Sequence, residues 1–224
     1  MMLNTLADPK LDALLTELHA RSEAQEPLTG EYFHNRPREG RAAYPHMDAG
    51  DHAHFADKLV ALEREKAEFC YMLCRAVGAR RIVELGTSFG VSTLYLAAAV
   101  RDNGGGLVIG TENEPQKVAA ARSNFAAAGL ADLIELREGD VRETLRDVAD
   151  PIDFVLFDIW ADAVRPALDL LLPRLRKGSV VCADNTAERP LGYKAFFEVL
   201  DDPSKGFHTI TLPFKGGFEM SVRL

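Results

Sequence analysis

From Arg81 onward the chain alternates short apolar, β-branched runs with stretches of helical periodicity, and this alternation most narrowly limits its fold. Strands separated by crossovers of helical length must lie parallel in one sheet, because each helix carries the chain back to start the next strand in the same direction. Ile82-Val83-Glu84-Leu85 predicts the first strand, Leu107–Thr111 the second, Leu133–Leu136 the third, Ile152–Phe157 the fourth and Ser179–Ala183 the fifth. Helices are expected over Ser92–Val100, Pro115–Ala128, Val141–Val148 and Val164–Leu175, and around Tyr193–Leu200. His208–Leu212 and Phe218–Leu224 alternate around Lys215-Gly216-Gly217, which predicts an antiparallel hairpin at the end of the sheet. The expected class is α/β, with a seven-stranded, mostly parallel sheet.

The segment before Arg81 is patterned differently. Leu11, Leu14, Leu15 and Leu18 recur at helical spacing behind Asp8-Pro9, where Asp caps and Pro fits the first turn. Glu26 to Asp51 contains Pro27, Gly30, Pro37, Gly40, Pro45 and Gly50 among aromatic and histidine residues, so an irregular cover is expected there. Helical spacing of Leu59, Leu62, Phe69, Leu73 and Val77 predicts a helix from about Phe55 to Val77. The expected organisation is a helix and cover over residues 1–54, followed by one catalytic domain over residues 55–224.

Charge and composition exclude several roles. The 26 Lys and Arg against 34 Asp and Glu leave a net charge of -8, which repels phosphate backbones, so no nucleic-acid partner is expected. Cys70, Cys74 and Cys182 form an odd set in apolar surroundings and are expected to be buried thiols. No run of about 18 apolar residues and no signal-like opening is present, which predicts a cytoplasmic protein without a membrane partner.

The turn Gly86 to Gly90 follows the first strand and opens a helix; Thr87, Ser88 and Ser92 supply hydroxyls and amides there, suited to a carboxylate or phosphate. Glu112 ends the second strand, where a carboxylate can accept both hydroxyl hydrogen bonds of a ribose. The spacing Gly86-x-x-x-Gly90 lacks the full G-x-G-x-x-G of a nicotinamide site, which favours S-adenosylmethionine over a dinucleotide. Asp140, after the third strand, can accept from an adenine amine or simply cap the next helix, and Trp160 can wall the adenine or pack at the surface.

Asp158 ends the fourth strand and Asp184-Asn185 the fifth. Two carboxylates at adjacent strand ends repel one another unless a cation lies between them. Their oxygens, with the Asn185 amide oxygen, match the preference of magnesium or a similar divalent ion, which would lower the pKa of a bound acceptor hydroxyl. Asp158 is therefore also the candidate catalytic residue. Taken singly, Asp158 can cap a βα loop and Asp184-Asn185 can form an Asx turn.

Glu84-Leu-Gly-Thr-Ser-Phe-Gly-Val-Ser-Thr93, Phe157-Asp-Ile-Trp160 and Ala183-Asp-Asn-Thr186 resemble the motifs of the caffeoyl-coenzyme A and catechol O-methyltransferase family. Leu62-Glu-Arg-Glu-Lys-Ala-Glu-Phe69 and Lys215-Gly-Gly-Phe-Glu-Met-Ser-Val222 fit the same pattern, so the resemblance covers roughly residues 55 to 224. It implies a Rossmann-like class I methyltransferase fold and metal-assisted methyl transfer from S-adenosylmethionine to a small hydroxylated molecule. It also implies cofactor contacts at Glu84, Gly86, Thr87, Ser92, Glu112, Asp140 and Trp160, and metal ligation by Asp158, Asp184 and Asn185. A homodimer is a further expectation, since the family often dimerises. One departure stands out: the family commonly has a lysine three residues after the first metal aspartate, where this chain has Ala161. Three outcomes stay open for that missing amine: the metal alone activates a more acidic hydroxyl, a group of the Glu26 to Asp51 cover such as Tyr32, His34 or His46 acts as base, or the acceptor differs from a catechol. Metal-independent transfer to a carboxylate or nitrogen, and a non-catalytic cofactor-binding scaffold, stay open.

Overall fold

The computed structural model describes residues 6–36, 48–187 and 193–224. Seven strands form one sheet in the order β3-β2-β1-β4-β5-β7-β6. These are β1 (Arg81–Leu85), β2 (Leu107–Glu112), β3 (Ile134–Glu138), β4 (Ile152–Phe157), β5 (Leu175–Asp184), β6 (Phe207–Leu212) and β7 (Phe218–Arg223). The first five are mutually parallel, and β7 lies antiparallel between β5 and β6. This is the Rossmann-like class I methyltransferase arrangement, ending in the expected hairpin.

Period-two patterning buries both faces of the central strands. Ile82, Phe154, Leu156, Val180 and Cys182 enter one core cluster, whereas Val83, Leu85, Val155, Phe157, Val181 and Ala183 enter the other. The first cluster is covered by α1 (Pro9–Glu23), α4 (Arg64–Ala76), α5 (Val91–Asp102) and α6 (Pro115–Ala128). The second lies under α8 (Ala161–Leu171) and α9 (Lys194–Leu200), with the short α7 (Val141–Thr144) at its edge. Helix α1 starts as its residues dictate: the Asp8 carboxylate accepts from the Leu11 amide at 3.1 Å, and Pro9 occupies the first turn. Leu11, Leu15 and Leu18 are buried within this same chain. The three cysteines are buried free thiols. No helix among the described residues is long and apolar enough to cross a membrane.

Two expectations before β1 need correction. Residues from Glu26 are not irregular: α2 spans Glu26–Asn35, with Pro27 in its first turn where no amide is needed, and α3 spans Ala49–Phe55. Asp48 and Asp51 form a reciprocal capping box that starts α3. Pro37, Gly40, Pro45 and His46 lie outside the described residues. Conversely, the helix expected from Phe55 begins only at Arg64. Leu59 and Leu62 do turn inward, but the Leu59 amide donates to Gln25 Oε1 and the Ala61 amide to Ser22 Oγ, both at 3.1 Å. Side chains of α1 and the α1–α2 junction thus take backbone donors that a helix would have used internally.

Leu15 is fully buried among the sheet-covering helices, so α1 belongs to the core. Leu15→Ala is expected to lower unfolding free energy by about 2–5 kcal/mol in urea denaturation. A change within about 0.5 kcal/mol, the range of ordinary surface substitutions, would show that α1 is a detachable cover.

Candidate active site

The site forms where the sheet reverses its winding, at the carboxyl ends of β1, β2, β4 and β5. Register brings the key residues together. Leu85 pairs with Phe157 and Phe157 with Ala183, so the residues that follow them, Gly86, Asp158 and Asp184, emerge side by side. Gly86 is required there for a protein contact: its φ is +90°, and a β-carbon would collide with the Asp158 carbonyl oxygen. Gly90, at φ +84°, caps α5 under the Phe125 ring, which would meet any side chain added there. Both glycines therefore set the turn's shape through packing.

A cavity of about 460 Å³ opens over these strand ends. Gly86, Ser88, Glu112, Asp140, Asp158, Trp160 and Asn185 contribute to its lining. The N-terminal segment covers it with His52, Phe55, Ala56 and Val60, and the Phe55 ring lies 5.6 Å from that of Trp160. Gly86, Ser88 and Asp158 also line a small recess below Leu59–Leu62, and this recess holds Thr87 and Ser92.

Glu112 is almost buried. Its Oε2 accepts from the Ser88 amide at 2.8 Å, and its Oε1 from the Asn113 and Glu114 amides at 2.8 and 2.9 Å. These bonds fix the carboxylate at the cavity wall. Glu84 is fully buried near the end of β1: its Oε2 accepts from Thr87 Oγ1 at 3.0 Å and from Thr93 Oγ1, while Oε1 has no hydrogen-bond partner among the described residues. Burial raises the Glu84 pKa, against the hydrogen bonds from Ser92, Thr93 and Thr87 that lower it. Ser88, held at φ +49°, likewise has a buried hydroxyl with no partner. An acceptor and a hydroxyl are thus left unsatisfied beside the recess, an arrangement that costs free energy unless a ligand completes it.

Asp140 lines the cavity, but its carboxylate caps α7 through the Arg142 amide at 2.8 Å and pairs with the Arg142 guanidinium, which holds its pKa low. Trp160 lines the cavity at the start of α8, immediately before Ala161. Of the bases expected in the cover, Tyr32 donates to Asp51 Oδ1 at 2.8 Å and stacks on His54, and neither it nor His34 lines the cavity.

Asp158 and Asp184 meet as expected, and two lysines join them. Burial and the charges of Asp184 and Glu84 push the Asp158 pKa well above the usual carboxylate range. Burial also lifts Asp184, to about 6, although Lys66 pulls it down. Lys66, 1% exposed on α4, places its ammonium 2.5 Å from Asp184 Oδ1 and 2.7 Å from Glu63 Oε2. Burial alone would lower its pKa, but these two carboxylates outweigh that and raise it, so Lys66 stays charged. Asp184 Oδ2 accepts from the Asn185 amide nitrogen at 2.9 Å. Lys117 of α6 lines the cavity, and burial lowers its pKa against the pull of Glu112, Glu114 and Asp158. Lys66 did leave a sequence signal, since with Cys70 and Cys74 it forms an i, i+4, i+8 stripe on the buried face of α4. The Ser88 hydroxyl left no comparable signal of its burial.

Among the described residues no cluster of three or more His, Cys, Asp or Glu side chains converges. The residues expected to ligate a metal, Asp158, Asp184 and Asn185, offer two carboxylates and an amide, oxygen donors of the kind a hard divalent ion takes. The Asp158 carboxylate makes no hydrogen bond or salt bridge among the described residues; burial and the charges of Asp184 and Glu84 disfavour its ionised form, and Lys66 favours it.

A family model described as a methyltransferase domain matches residues 83–186. The catechol O-methyltransferase of Mycobacterium tuberculosis is 32% identical over 127 residues, 56% of this chain and 57% of that protein. The chain thus aligns with little more than half the length of that curated relative. An O-methyltransferase from Bacillus cereus in complex with SAH superposes with a TM-score of 0.66 at 25% identity, covering 73% of this chain and 83% of that one. The O-methyltransferase TomG of Streptomyces achromogenes, involved in tomaymycin synthesis and solved with SAM, gives 0.65 at 26% identity over 77% of this chain and 85% of its own. The fold is that of the class I methyltransferases, with the cavity at the carboxyl ends of its strands. The chain is thus similar to S-adenosylmethionine-dependent O-methyltransferases, the catechol enzyme among them.

Gly86→Ala combines a left-handed backbone position with a collision at Asp158, and is expected to cost roughly 2–5 kcal/mol of stability. Thermal unfolding of the purified variant checks this. A wild-type melting temperature would show that the β1 turn and Asp158 are not packed as described.

Proposed function

We propose that the protein transfers a methyl group from S-adenosylmethionine to an oxygen of a small hydroxylated molecule. The observation that carries this is the cavity itself, which joins Gly86, Ser88 and Glu112 on one side to Asp158 and Asn185 on the other. Glu112 takes the ribose hydroxyls with the lone pairs its three backbone bonds leave free, and Trp160 walls the adenine beside Asp140. The buried Glu84 Oε1 suits the methionine ammonium, directly or through water, and the Ser88 hydroxyl and the Thr87–Ser92 recess suit its carboxylate. Glu112, Glu114, Asp140, Asp158 and Asp162 outnumber the basic groups of the lining, which favours a cationic sulfonium over the pyrophosphate of a dinucleotide.

In the transfer the acceptor oxygen displaces the sulfonium sulfur at the methyl carbon: a C–O bond forms, a C–S bond breaks with its electron pair going to sulfur to give neutral S-adenosylhomocysteine, and the hydroxyl proton passes to solvent. Asp158, Asp184 and Asn185 are the residues that would hold a divalent ion, magnesium or manganese, whose chemistry is to lower the acceptor hydroxyl's pKa. The chain's own part is orientation: Gly86 fixes the cofactor turn against Asp158, and the N-terminal segment from His52 to Val60 covers the acceptor and excludes water. Metal-independent transfer is the second reading, favoured by the charge that Lys66 already supplies to Asp184.

Glu112→Ala is expected to weaken S-adenosylmethionine binding by about 10- to 100-fold through loss of charge-assisted hydrogen bonds, measured by equilibrium titration. Unchanged affinity in the folded variant would remove Glu112 from the cofactor site. Asp158→Ala is expected to reduce single-turnover methylation of a hydroxylated acceptor panel by at least about 100-fold while changing donor affinity by less than about threefold. Full activity in that variant, together with insensitivity to a chelator, would establish the metal-independent reading.

A further inference from the structure

We propose that Lys66 is a resident counter-charge that competes with a divalent ion for Asp184, holding Oδ1 and leaving Oδ2, beside Asn185, as the oxygen Asp184 offers a metal. The inference rests on the divalent-ion reading of Asp158, Asp184 and Asn185 and assigns Lys66 a positioning role within it.

The geometry is specific. The Lys66 ammonium is buried between carboxylates from two elements, Glu63 at the start of its own helix and Asp184 at the end of β5. A buried lysine without such partners would be strongly penalised, so the pairing holds the side chain in one place. Asp184 is thereby divided: one oxygen faces the ammonium, and the other faces the Asn185 amide. The local charge is divided as well. Glu63, Asp158 and Asp184 bring three carboxyl groups to one ammonium, an excess of oxygen donors over cationic groups that a dication would balance. A lysine in this position also repels that dication, so the site should hold a metal less tightly than its oxygen donors alone would. Lys66 stands one helical turn into α4 and does not line the cavity, so its effect on the acceptor is indirect.

Manganese alone is the probe, with free ion followed by electron paramagnetic resonance on the purified full chain at pH 8. Lys66→Met is expected to bind manganese about tenfold more tightly than wild type, and Lys66→Arg within about threefold of it, because one repelling charge is lost in the first and kept in the second. If Lys66 served only as scaffolding, its removal would leave manganese affinity unchanged or weaken it. Glu63 is partly exposed, so Glu63→Gln tests the idea should Lys66→Met not fold. It leaves Lys66 wholly to Asp184 and is expected to weaken manganese binding about threefold or more. Unchanged or weaker binding in folded Lys66→Met, or unchanged binding in Glu63→Gln, overturns the proposal while wild-type uptake still supports the metal site. Manganese uptake by Lys66→Met but not by wild type would confirm the competition and show that Lys66 keeps the native site metal-free. Uptake by neither protein overturns both readings.

Discussion

Two carboxylates brought to adjacent strand ends are the constraint on which this structure turns. Parallel pairing of β1, β4 and β5 leaves no freedom over where Asp158 and Asp184 emerge, because each follows a residue locked in the ladder. Their proximity is unfavourable in a poorly solvated place, and the surrounding chain answers it in part. Lys66 comes in from α4 to one of them; Asp158, on the cavity wall, receives no such ion pair among the described residues. The uncompensated charge faces the space where a cationic sulfonium, a metal or both would relieve it.

The same strand ends couple cofactor and acceptor. Because Gly86 presses against the Asp158 carbonyl, the turn that would hold the methionine portion is in direct contact with the residue that would organise the acceptor. Glu112 is held by three backbone amides, so the carboxylate proposed to take the ribose is preorganised before any ligand arrives. The N-terminal segment completes the enclosure. It is tied down by Gln25 and Ser22 and brings Phe55 against Trp160, which closes the cavity from above with apolar surface.

Local pattern carried most of the fold. The β runs were readable because strands buried on both faces must be almost wholly apolar, and Glu112, Asp158 and Asp184 stood out as charged residues ending such runs. Pro27 and Gly30 read as breakers, yet Pro27 falls in the first turn of α2, where proline is harmless. Leu59 and Leu62 mimicked helical spacing, but hydrogen bonds from residues 34 and 39 positions away decided the backbone there. Lys66 lies 118 residues from Asp184, so no local rule could pair them, although a lysine on an apolar helix stripe was visible. The reason for Gly86 was also hidden, since the atom that excludes a side chain belongs to Asp158 on another strand.

The central claim, that one cavity binds S-adenosylmethionine between Glu112 and the Asp158–Asp184 pair, is tested most directly by a crystal structure of the protein grown with S-adenosylhomocysteine. The account requires the ribose on Glu112, the adenine beside Trp160, the amino-acid end in the Glu84–Ser92 recess and the sulfur turned toward Asp158. An adenosine bound away from Glu112, or a sulfur directed away from Asp158, would contradict it.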